Sequence, residues 1–86
     1  MDFIDALAQA KAALNLSDAQ IARDCGMSRA WMGAIMHRKI HVLKRNKIAI
    51  TSMLCARIDS TVAKYAEDVS LLERVRKDLK DAMQED

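Results

Sequence analysis

Apolar residues recur at helical spacing along most of the chain. Phe3, Leu7, Ala10 and Leu14 step by three or four, which predicts a first helix from a cap at Asp2 to about Leu14, with Asn15 breaking it. Ser17 then opens a second helix. Gln20, three residues on, can return a hydrogen bond to Ser17 and complete a capping box, while Leu16 and Ile21 form a hydrophobic staple across the start. Ile21, Ala22 and Cys25 share one face of this helix, and Gly26 ends it, because glycine takes a left-handed backbone at little steric cost. Met27 is expected as a buried turn residue. Ser28 caps a third helix, Arg29 to Arg38, with Met32, Ile35 and Met36 at core spacing.

The pattern is less decisive from Lys39 to Thr51. Ile40 and Val42 can cover the core from a connecting loop, and Ile50, Met53 and Leu54 suit a fourth helix over Lys44–Ala56. The competing reading is a β-hairpin in which Lys39–Leu43 and Lys47–Thr51 flank Arg45-Asn46. The helix is preferred, because no glycine follows Asn46 to supply the favoured hairpin turn. Beyond Asp59, Val62, Tyr65, Val69, Leu72, Leu79 and Met83 lie on a near-heptad seam with Arg76 in its one gap. This predicts a final helix of roughly 25 residues, about 38 Å long. A body of about 55 residues does not cover such a rod, so the seam is expected to pair with a second copy. The alternative is that its first half packs within the chain and the charged end is solvated. The expected architecture is therefore all-α, with four to five helices divided into residues 1–57 and a dimerisation element, 58–86.

Composition agrees with helices. Of 86 residues, 51% are hydrophobic, yet only three are aromatic and none is proline. No window nears the roughly 18 apolar residues of a membrane span, and the acidic start, MDFIDA, lacks the basic region of a signal peptide. Cys25 and Cys55 fit no paired metal motif and read as reduced thiols on apolar faces of a cytosolic protein. The net charge of +2 says little, but its distribution says more. Residues 1–22 carry −2, residues 23–47 carry +6 and residues 48–86 carry −2. Cationic charge gathers at and just after the third helix, as expected for binding a phosphate backbone.

The stretch from Leu16 to Arg38 resembles the helix-turn-helix of the lambda repressor/Cro superfamily of phage and bacterial regulators. An apolar–small pair (Ile21, Ala22) is followed by Gly26 four residues after the alanine, and by Met32 and Ile35 six and nine after the glycine. Ala22 lets two steeply crossing helices approach closely. The resemblance implies that Ser28–Arg38 enters the DNA major groove. Arg29, Ala30, Gly33 and His37 would then meet base edges: Arg29 can bond bidentately to guanine, and Ala30 can touch a thymine methyl. Gly33 fits either a close approach to the duplex or close helix packing. Ser28, Arg38, Lys39, His41, Lys44, Arg45 and Lys47 would take phosphates. Asp18 stands where many members carry a phosphate-binding glutamine, which puts that contact in doubt. Trp31 suits core or interface packing better than a backbone contact.

His37 and His41 lack companions for a metal site, and no nucleophile–base pair or phosphate loop is present, so neither cofactor nor enzyme activity is expected. The implied function is that of a cytoplasmic, nucleoid-associated, dimeric repressor of phage or prophage type on an inverted-repeat operator, open to control by a protein antagonist. The alternatives are an antitoxin-type autorepressor that also binds a toxin, an excision or replication accessory factor, and a helical interaction module that does not bind DNA.

Overall fold

The computed structural model describes residues 2–64 and 69–84, with side chains described outside 61–70. Five helices follow in order: α1 (Phe3–Ala13), α2 (Asp18–Asp24), α3 (Arg29–Met36), α4 (Lys44–Lys64) and α5 (Val69–Gln84). No strand occurs among the described residues, so the stretch after Leu43 is helix and not hairpin. Asn46 and Lys47 donate their amides to the Leu43 carbonyl at 2.9 and 3.0 Å and start the first turn of α4.

Three consecutive helices are closed by local chemistry at both ends. The caps are Asp2, which accepts from the Asp5 amide at 2.8 Å, Ser17, which accepts from Gln20 at 3.2 Å, and Ser28, which accepts from Trp31 at 3.1 Å. Gln20 Oε1 in turn accepts from the Ser17 amide at 2.8 Å and completes the box. At the other ends Asn15, Gly26 and Arg38 take left-handed backbones with φ of 54°, 71° and 58°. The next residue of each returns its amide to a carbonyl five back: Leu16 to Lys11, Met27 to Ala22 and Lys39 to Ala34, at 2.8–2.9 Å. Each is a Schellman motif, which satisfies carbonyls the helix itself leaves open.

One core joins all five helices among the described residues. Phe3, Ala6, Leu7 and Ala10 of α1, Ile21 and Ala22 of α2, Met32 and Ile35 of α3, and Ile50, Leu54 and Ile58 of α4 are buried together with Leu72, Val75, Leu79 and Ala82 of α5. Val42 closes the core from the α3–α4 loop, whereas Ile40 and the turn residue Met27 are partly open to solvent. Met27, expected to be buried, is 37% exposed, while its amide closes the turn on the Ala22 carbonyl.

The C-terminal third differs most from the sequence reading. In place of one continuous rod, α4 ends at Lys64 and α5 begins at Val69. α5 packs on both α1 and α4. Leu72 and Leu79, expected at a subunit contact, are 4% and 0% exposed inside a single chain, and Met83 is half-buried. The side chains of Val62, Tyr65 and Val69 lie outside the described residues. The expected division at residue 57 falls inside α4, and both segments contribute to one core. The physical reason is that spacing by three and four makes an apolar stripe but does not say where its complement lies. Here α1, with small Ala6 and Ala10 beside Phe3 and Leu7, belongs to the surface that receives it. Arg76, the odd residue of the seam, reaches across to Asp59 of α4.

Truncating Leu79 to alanine is expected to lower the unfolding free energy by about 2–5 kcal/mol, read by urea denaturation. Because the side chain is buried within one chain, the loss is independent of protein concentration. A loss that vanished on dilution would place Leu79 between subunits instead.

Candidate nucleic-acid interface

The arrangement of α3 follows from its two innermost residues. Met32 and Ile35 are 0% exposed, and Trp31 and Met36 flank them half-buried against the core. Positions three and four apart share a helix face. Fixing 32 and 35 inward therefore turns the opposite stripe to solvent: Arg29, Ala30 and His37 are exposed and Gly33 is partly so. These are the four residues expected to meet base edges, and they share one outward face. Trp31 takes the packing role.

Gly33 has no packing reason to be glycine. A methyl group built there meets nothing within 4 Å. Close helix–helix approach, one of its two readings, is therefore excluded. What remains is a mid-helix glycine on an open surface, which costs a helix about 1 kcal/mol relative to alanine.

The basic residues fall into two groups. Lys39, His41, Lys44 and Arg45 are exposed on the loop after α3 and the first turn of α4. Arg38 and Lys47, expected to join them, are placed otherwise. Arg38 is drawn to the start of α1, where its guanidinium donates to Asp2 at 2.9 and 3.4 Å and to Asp5 at 2.8 Å. Lys47 is half-buried with its ammonium 6.0 Å from the Phe3 ring centre, at the outer range of a cation–π contact. Both line a pocket of about 220 Å³ with Asp2, Phe3, Ile4, Ile40, His41 and Val42. The local reason is distance in sequence: the carboxylates that capture Arg38 lie 36 and 33 residues away. No signal in the cationic run from Arg38 to Lys47 separates it from its neighbours.

The first turns of the helices differ in charge. α1 and α2 carry Asp5 and Asp18 in their first turns, where a carboxylate suits the positive end of the helix dipole. α4 has no acid there and presents Lys44 and Arg45 after Leu43, a residue with no side chain able to cap. Asp18, by contrast, is paired with Lys11 at 2.5 Å, which offsets its charge at the start of α2. Ser28 spends its hydroxyl oxygen as an acceptor in the α3 cap, and the hydroxyl proton remains available to donate.

Burial pushes the thiols of Cys25 and Cys55 up from their ordinary range, with Asp24 adding to the effect at Cys25. Both are therefore poor thiolate nucleophiles at neutral pH. No group of three His, Cys, Asp or Glu suited to a metal occurs among the described residues. No helix there is long and apolar enough to cross a membrane.

The guanidinium of Arg38, and next the Asp5 amide, hold the Asp2 carboxyl below the usual carboxylate range. A depressed folded-state value contributes stability above the ordinary carboxylate pKa, and that contribution is lost as pH falls through the depressed value. Following the Asp2 carboxyl by NMR, Arg38→Gln is expected to raise its midpoint toward the ordinary range; an unmoved midpoint would deny the contact. Gly33→Ala is expected to stabilise the fold by up to about 1 kcal/mol in thermal unfolding, and destabilisation would mean that Gly33 is packed after all. No family model matches the chain, and no curated protein or solved structure is significantly similar to it.

Proposed function

We propose that the protein is a sequence-specific DNA-binding regulator in which α2 and α3 act as a helix-turn-helix and α3 lies in the major groove. The observation that carries this reading is the outward stripe of α3. Arg29, Ala30, Gly33 and His37 face solvent together, on a helix anchored by Met32 and Ile35. Ala22, 1% exposed on α2, and Gly26, with φ of 71° in the turn, agree with the resemblance to lambda repressor/Cro-type regulators. On this reading Arg29 reads guanine and Ala30 offers a methyl contact. Gly33 lets the backbone approach the base edges, and His37 extends the contact by one turn.

Ser28, Lys39, His41, Lys44 and Arg45 then hold phosphates, which position the helix without reading sequence. A single eight-residue helix presents few reading groups. Two copies about a two-fold axis double them and read an inverted repeat with half-sites about 34 Å apart or a multiple of it. Pairing through Leu72 and Leu79 is not part of this proposal, since both fill the core. By the same resemblance, occupation of a promoter would exclude polymerase, making the protein a repressor of phage or prophage type.

Selection of bound sequences from random duplexes tests the reading, and an enriched inverted repeat is the expected result. Recovery of unenriched sequence would leave only non-specific binding. No recovery, with no fall of affinity as salt rises, would favour an interaction module that never touches DNA. On the selected site, Arg29→Ala is expected to weaken binding by about 1–3 kcal/mol, with the circular dichroism spectrum unchanged. Equal affinity would remove Arg29 from the reading face.

A further inference from the structure

Arg38 combines two features that each call for explanation. Its backbone is left-handed at φ 58°, in the position that closes α3, where glycine fits without penalty. A residue with a side chain is uncommon in this conformation. The backbone is held by two bonds, from the Arg38 amide to Ile35 at 3.0 Å and from the Lys39 amide to Ala34 at 2.8 Å. The side chain therefore leaves the end of α3 in a defined direction, toward the start of α1.

The second feature is what it meets. Two guanidinium nitrogens contact two carboxylates, Asp2 through both oxygens and Asp5 through one. Paired N–H donors on adjacent anionic oxygens are also how arginine engages a phosphate. All three side chains are more than half exposed, at 51% for Arg38, 54% for Asp2 and 63% for Asp5. A pair so open to water is weak enough for another anion to compete. Its chain neighbours His37 and Lys39 are both exposed, and both are assigned to the DNA-facing surface.

We propose that Asp2 and Asp5 act as an internal phosphate mimic that holds Arg38 off the DNA backbone, so that the acidic start of α1 limits how many phosphates the basic loop engages. The inference rests on the DNA-binding reading above and adds a restraint to it. Arg38 on release becomes one more phosphate contact, and the carboxylates left behind oppose the duplex. The exchange involves no change in the helices, because only side chains part.

The test compares four proteins on a mixed-sequence DNA duplex by fluorescence anisotropy, between about 50 and about 200 mM salt. They are the wild type, Asp2→Asn/Asp5→Asn, Arg38→Gln, and the triple variant. Asparagine caps a helix as well as aspartate does, so α1 keeps its cap while the charges go. Asp2→Asn/Asp5→Asn is expected to bind several-fold tighter at the low end, with the slope of log affinity against log salt steeper by about 0.9, the value for one added phosphate contact. Adding Arg38→Gln is expected to abolish that steepening. The proposal is overturned if the double variant has the wild-type slope. It is equally overturned if the steepening survives in the triple variant, because the gain would then come from lost repulsion and not from Arg38. Salt-independent or absent binding by all four proteins would instead overturn the DNA-binding reading, and the mimic with it.

Discussion

The burial of Met32 and Ile35 beside Ile21 and Ala22 is the constraint on which the remainder depends. An eight-residue helix is too short to persist alone in water, so α3 exists because tertiary contacts and end closures hold it. Its apolar pair goes inward, its cap at Ser28 fixes where it begins, and the Schellman closure at Arg38 fixes where it stops. Once those are set, the outward stripe has no freedom left. The same closure launches the Arg38 side chain toward α1 and the loop toward Val42, the next residue buried in the core.

Electrostatics sorts the cations more than it stabilises the fold. The ion pairs Arg38 with Asp2 and Asp5, Arg57 with Asp24, Lys11 with Asp18 and Arg76 with Asp59 each join separate elements of the chain, and all of these side chains keep some contact with water. Exposed pairs add little to stability. Their consequence is selection: they engage particular basic residues with carboxylates of the same chain. Lys39 and Arg45 are exposed and stay outside any such pair among the described residues. A sequence segment of charge +6 is thereby narrowed to a smaller set of groups able to meet a phosphate backbone.

What could be read in the sequence was what is decided within four or five residues. The Ser17–Gln20 box, the Gly26 turn, the Ser28 cap and the inward pair of α3 are local signals, and the structure places them as the spacing implies. The absence of a glycine after Asn46 was enough to prefer helix over hairpin. What failed to show was decided at long range. The stripe of Leu72 and Leu79 has the same spacing whether it packs on another chain or on α1, and the choice rests on residues some sixty positions earlier. Arg38 is chemically like its neighbours, and only the approach of the α1 N-terminus sets it apart. Gly33 was ambiguous for a related reason: whether a glycine is crowded or open depends on the space around it, which no local pattern reports.

The central claim is that one face of the five-helix body, made by α3, its following loop and the start of α4, is the surface that meets nucleic acid. Amide chemical-shift mapping during titration with a mixed-sequence duplex addresses it most directly. The account predicts that perturbations gather at residues 28–33, 37–41 and 44–45. Perturbations centred on the outward residues of α5, such as Arg74, Lys77 and Lys80, with α3 unmoved, would contradict it.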